Sequence, residues 1–246
     1  VIYENNLIIG KANKFLLPFT KKIFVSYKEV EGISEKYKYK ILEIGNILRE
    51  QIINSNISEK KEINLNTIKV LVLGGSQAAK AFADLLPPIF KKIKNSGKYL
   101  KVYQQCLKNQ NNQLIDYYGE NNIDHEIFNF TNQINDYYSK VNLVITRAGA
   151  SVLGELINVK IPFISIPLPS SADNHQQKNA EFYKKKGYGF LLEEEKIKDN
   201  LYNLITIIFK DKSSIENILL NQSQYSDKKI YKNLIIKLEK IINEKN

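Results

Sequence analysis

The chain contains no methionine, no tryptophan, one cysteine and two histidines in its 246 residues. The lone Cys106 excludes an internal disulfide and fits a reducing compartment. His125 and His175 lie far apart and, with that cysteine, offer no metal-ligand spacing, so no metal and no other cofactor is expected. No apolar run approaches the ~20 residues of a membrane span. No signal peptide is read ahead of the first patterned segment, so a soluble globular chain is expected. The missing methionine and an opening on the apolar strand Val1-Ile2-Tyr3 read as a fragment of a longer protein. Arginine is scarce as well: of 36 basic residues only Arg49 and Arg147 are arginine. Lysine cannot replace a planar guanidinium where a bidentate or stacked contact is needed, so both positions are expected to be constrained, Arg147 either at a site or in tying loops together.

What is present suits a substantial core, at 43% hydrophobic and 11% aromatic content. The net charge of +10 raises nucleic acid or an anionic membrane as partners. The lysines are scattered and no nucleic-acid motif accompanies them, so no nucleic-acid partner is expected and weak attraction to anionic lipid is the better reading.

Short apolar runs alternate with helical patterns, which predicts an α/β chain with a Rossmann-like parallel sheet and a ligand at the carboxyl ends of its strands. Strands are expected at Val1–Tyr3, Lys22–Tyr27, Tyr39–Ile44, Ile68–Leu73, Tyr99–Tyr103, Ile123–Phe128, Leu143–Ile145, Pro162–Ile166 and Gly187–Glu193. Two of them run into small-residue turns. Gly74-Gly75-Ser76-Gln77 opens a helix to about Ile93, kinked at Pro87-Pro88, and Thr146 to Ala150 opens another near Ser151, whose hydroxyl is expected to cap it. Glycine turns at helix starts make anion cradles. Glu155, one turn beyond Ser151, can accept hydrogen bonds from a ribose diol, and the amides Gln176 and Gln177 suit sugar hydroxyls. Lys229 to Ile242 repeats apolar residues on one helical face.

The segments TRAGASVLGE, DNHQQKNA and GGSQ resemble the carboxy-terminal half of the MurG family. These are the peptidoglycan glycosyltransferases that move N-acetylglucosamine from its UDP donor onto undecaprenyl-linked lipid I, forming lipid II. Two further stretches are similar to that family: Glu4, Asn6, Gly10, Asn13 and Lys14 near the start, and Gly45-Asn46-Ile47-Leu48-Arg49. Tyr3, Asn5, Ile47, Ala78 and Val152 depart from its usual residues. The resemblance implies a GT-B glycosyltransferase lacking most of its amino-terminal domain, and with it the glycine-rich loop and candidate base, so no catalytic residue is assigned. The organisation implied is the end of an acceptor domain over 1–45, a linker over 46–67, a UDP-sugar domain over 68–222, and a final helix over 223–246 crossing back to the first domain. That helix's apolar face is expected to be left exposed.

The resemblance implies donor contacts from Arg49 to the nucleotide or its phosphates, and from Gly75, Ser76, Gly149, Ala150 and Ser151 to the diphosphate. Phe130 and Thr131 would hold uracil, Glu155 the ribose, and Gln176 and Gln177 the sugar, with Asn6 on the acceptor side. It also implies UDP-N-acetylglucosamine and lipid I as partners, a peripheral place on the cytoplasmic face of the inner membrane, and a part in cell-wall synthesis, cell shape and division. A donor-binding subunit of a split transferase, a nonenzymatic nucleotide-binding module and another UDP-sugar enzyme, such as a glycolipid synthase or an epimerase, remain as alternatives.

Overall fold

The computed structural model describes residues 1–55, 57 and 63–243, the side chains of 76–79 excepted. Two parallel sheets organise it. The first has three strands, β1 (Ile2–Glu4), β2 (Ile23–Val25) and β3 (Ile41–Glu43), in the order β1-β2-β3, with α1 (Lys11–Leu16) between the first two. A link carrying α2 (Glu50–Ile53) leads to the larger sheet. Its elements are β4 (Thr67–Leu73), α3 (Gly75–Leu85), α4 (Pro87–Asn95), β5 (Tyr99–Gln105), α5 (Asn111–Glu120), β6 (Asp124–Phe128), α6 (Ile134–Lys140), β7 (Leu143–Thr146), α7 (Ala150–Asn158), β8 (Phe163–Ser165), α8 (His175–Lys185) and β9 (Phe190–Leu191). Helices α9 (Ile197–Ile208), α10 (Lys212–Ser223) and α11 (Ile230–Asn243) close the chain.

Each strand lies where an apolar run was read. The central strands are covered on both faces, which is why they read as unbroken hydrophobic runs. Val70, Leu71 and Val72 of β4 and Leu143, Val144 and Ile145 of β7 have no exposed surface. Proline shapes the first crossover. The single kinked helix expected to Ile93 is two helices sharing Leu86 as their boundary, with proline at the start of the second, where its missing N–H costs no hydrogen bond.

The larger sheet has the order β6-β5-β4-β7-β8-β9 with every pair parallel. The chain therefore winds one way from β4 and the other way from β7. Between these two strands the connections diverge, leaving a crevice at their carboxyl ends, where ligands bind in open sheets of this kind.

The two sheets are joined by a polar clasp around the segment Gly45-Asn46. Gly45 takes a positive φ of 98°, and a Cβ there would lie 2.2 Å from Asp227 Oδ1. The Asn46 amide donates to Tyr27 Oη at 3.1 Å, Tyr225 Oη at 3.0 Å and Asp227 Oδ2 at 3.0 Å. Gly154 of α7 lets this asparagine in, since a Cβ there would meet its Cγ at 2.8 Å. The family-like spelling Gly-Asn before Arg49 is thus a packing requirement at the joint.

Helix α11 returns to the first sheet. Ile230 and Ile241 are buried with Phe24 and Ile44, and Leu234 and Leu238 pack against them. The expected exposed apolar face is instead covered, because β1 to β3 are present and supply the surface it needs. A flanking stripe of Tyr231, Ile235 and Ile242 stays exposed.

Candidate functional site

The crevice between β4 and β7 opens into a cleft of about 400 Å³. Its walls come from the carboxyl ends of four strands: Leu73 of β4, Gln105 of β5, Phe128 of β6 and Thr146 of β7. Gly75 and Gly149, at the starts of α3 and α7, also line it. Among the described residues neither helix start has a side-chain cap, and neither has an acidic residue in its first turn, so the dipole ends there suit an anion. The expected Ser151 cap is absent. The chain enters α7 at Gly149 (φ −70°, ψ 131°), two residues earlier, and Ser151 Oγ instead accepts from Asn5 Nδ2 at 3.1 Å.

Arg49 and Glu155, read separately as nucleotide contacts, are each other's partners. Arg49 Nε donates to Glu155 Oε1 at 2.8 Å and its Nη2 to Oε2 at 2.7 Å, the two-pronged geometry that only arginine offers. The carboxylate beside it holds the Arg49 pKa above its ordinary value. Glu155 is buried, whereas 48% of the Arg49 side chain is exposed towards the cleft it lines. A third donor reaches the carboxylate from the cleft floor, Tyr138 Oη, 3.0 Å from Oε2.

Phe130 lines the cleft with 76% of its surface exposed, a flat ring available for stacking, and Thr131 follows it on the same wall. Thr131 Oγ1 accepts from Gln133 N at 2.9 Å, which leads the turn into α6. Gln176 is also a wall residue, and its Oε1 accepts from Leu168 N at 3.0 Å. Gln177 points elsewhere: its amide donates to Glu181, and it lines the neighbouring groove with Pro169 and Glu193. Ala150 is buried beside Gly149, and the side chain of Ser76 lies outside the described residues.

Asn6 stands away from the cleft wall. Its amide donates to Glu4 Oε1 at 3.0 Å, and its oxygen accepts from Asn179 at 3.1 Å. The residue that crosses to the helix start is its neighbour Asn5. Arg147 is 7% exposed in its side chain and ties loops together. It donates to the carbonyls of Ile166 and Pro167, pairs with Glu194, and sits 4.4 Å from the centroid of the Phe82 ring. Tyr138 was missed in the sequence because a tyrosine four residues after Ile134 reads as a core position, which it also is.

The profile of the glycosyltransferase family 28 C-terminal domain matches residues 69–234. A curated relative from Pelagibacter ubique, named UDP-N-acetylglucosamine–N-acetylmuramyl-(pentapeptide) pyrophosphoryl-undecaprenol N-acetylglucosamine transferase, is 35% identical over 99% of this chain and 68% of its own length. The chain belongs to the MurG family. A Rickettsia felis relative of the same name is 37% identical over 83% of this chain and 60% of its own length. This MurG-family chain thus spans roughly three fifths to two thirds of the relatives it matches.

Among solved structures, Acinetobacter baumannii MurG superposes with a TM-score of 0.76 at 21% identity, over 98% of this chain and 67% of that one. An S. aureus MnaA–UDP structure superposes at 0.65 and 13% identity, over 91% of this chain and 61% of that one. At those identities the two structures speak for the fold alone, which is GT-B. The MurG-family chain is a glycosyltransferase built on a Rossmann-like parallel sheet.

Proposed function

We propose that this chain supplies the donor site of an inverting transferase that moves N-acetylglucosamine from UDP-N-acetylglucosamine to lipid I, giving lipid II in peptidoglycan synthesis. The observation that carries this reading is the pair of helix starts at Gly75 and Gly149, without a side-chain cap among the described residues, facing one cleft in a chain 35% identical to a transferase of that name. A UDP diphosphate laid across those amides gains charge as the sugar leaves, and fixed dipoles stabilise that charge without reorganising.

The other contacts follow from the cleft. Phe130 stacks on the uracil, and the backbone at Thr131 reads its edge. Glu155 accepts the ribose hydroxyls once Arg49 turns from it towards the phosphates. Gln176 meets the sugar from the far wall, with Gln177 behind it. The acceptor hydroxyl then attacks the anomeric carbon from the opposite face, breaking its bond to the diphosphate oxygen; UDP departs, and the hydroxyl's proton passes to a general base or to water. Asn6 and Asn5 stand on the side from which the acceptor comes.

The protein works at the cytoplasmic face of the membrane, peripherally. Phe15 and Phe19 are 73% and 80% exposed, and the exposed Lys11, Lys14 and Lys21 lie close to them in the sequence. Rings flanked by lysines suit an anionic lipid surface. Among the described residues no helix is long and apolar enough to cross a membrane.

Titration calorimetry of the chain with UDP-N-acetylglucosamine, UDP-N-acetylgalactosamine, UDP and ADP tests the donor reading. Uridine selectivity with preference for the first sugar is expected, and Glu155→Ala should weaken binding by about 1.5–3 kcal/mol, the worth of a hydrogen bond to a charged group. Equal binding of ADP and UDP to a folded chain would overturn the reading.

A further inference from the structure

A carboxylate accepts hydrogen bonds at about four lone-pair positions. On Glu155, Arg49 takes one on each oxygen and Tyr138 takes another on Oε2. A ribose diol needs two such positions, so it can be seated only by displacing a donor already there. The two donors are unequal in this respect. Arg49 is half exposed at the cleft rim and can swing out into it, whereas Tyr138 is wholly buried in α6 and has nowhere to go.

We propose that Tyr138 is the positioning residue for ribose recognition: its hydroxyl fixes the plane of the Glu155 carboxylate, which lies buried behind Arg49 at the cleft wall, when the nucleoside displaces Arg49. This rests on the reading of Glu155 as the ribose acceptor. The terminal torsion of a glutamate is broad and has no sharp preference of its own, so the carboxylate plane is set by what bonds to it. Once Arg49 leaves, the phenol is the donor that remains. Burial and the neighbouring Glu155 charge push the Tyr138 pKa well above its ordinary value, so the hydroxyl keeps its proton to donate. Helix α6 also begins just after Phe130 and Thr131. One rigid segment therefore spaces the base platform from the donor that orients the ribose carboxylate.

The test is calorimetric titration of the chain, of Tyr138→Phe and of Glu155→Ala with UDP and with 2′-deoxy-UDP. The native chain should prefer the ribonucleotide. Tyr138→Phe keeps the buried ring, and thermal melting verifies that it folds. It should lose about tenfold in affinity for UDP, the equivalent of one weakened charge-assisted hydrogen bond. It should lose less than about twofold for the deoxy ligand on the same grounds, so that the preference shrinks. A merely structural role would lower both affinities together and leave the ratio at its native value, which would overturn the proposal.

Glu155→Ala separates the two ideas. If it abolishes the preference while Tyr138→Phe retains it, the ribose reading stands and the positioning role falls. If it too retains the preference, the ribose reading itself has failed. Should Tyr138→Phe be too unstable to titrate, Arg49→Ala leaves Tyr138 as the donor orienting the carboxylate. A retained ribose preference in that variant supports the proposal, and a lost one overturns it.

Discussion

Glu4 shows what a family-like spelling can mean at the scale of a residue. The residue is 3% exposed, and its carboxylate accepts four hydrogen bonds, from Asn6 N and Nδ2 at 3.0 Å each, Gly10 N at 2.8 Å and Asn13 Nδ2 at 2.9 Å. The matching residues Glu4, Asn6, Gly10 and Asn13 are thus one cage that folds the turn after β1 and seats α1. Glu4→Gln keeps the shape but turns an amide nitrogen towards donors. It should destabilise the chain by about 2–4 kcal/mol, since at least one buried donor loses its acceptor. Urea denaturation measures this, and an unchanged midpoint would mean that water satisfies the cage. Arg49 and Glu155 carry a related lesson. Their types and neighbourhoods were legible in the sequence, but their pairing across 106 positions was not, because no local pattern links them.

Among elements, α11 depends most on context. Its apolar spacing was plain, yet spacing alone does not say what covers the face. The three-stranded sheet covers it, with Ile230 at 1% exposure and Ile241 at 9%. Ile230→Ala should therefore cost about 2–5 kcal/mol by the usual cavity rule. Because Ile230 lies outside the donor cleft, UDP affinity should stay at its native value in the folded variant. Denaturation and calorimetry on the same sample test both halves, and a parallel loss of UDP affinity would show that the clasp at Asn46 transmits the damage. The start of α7 was harder to read. Ser151 looked like a cap, but Gly149 begins the helix and frees the serine hydroxyl to meet Asn5.

For the molecule as a whole, the proposed donor cleft lies on the larger sheet, and the proposed function has the acceptor come from the side of β1 to β3. Exposed Phe15 and Phe19 lie on that smaller sheet's connection, beside lysines, in a chain of net charge +10. Vesicles rich in anionic lipid should co-sediment the chain more than zwitterionic ones do. Raised salt should release it, because screening shortens the reach of surface charge. The double variant Phe15→Ser with Phe19→Ser should weaken binding at low salt, and equal sedimentation with both lipids would sink the membrane role of this face.

The order of strands and helices, the parallel α/β class and the two glycine turns that meet at the cleft were legible in the residues alone. Those features are local, since a buried run, a turn residue and a helical period each act over a few residues. Which polar groups answer one another was set by folding: Arg49 with Glu155, Tyr138 beneath them, Asn46 between two tyrosines and Asp227, and Gln177 turned away from Gln176. The physical reason is that burying a polar group is tolerable only when a partner is supplied, and that partner comes from wherever the winding of the sheet brings the chain close.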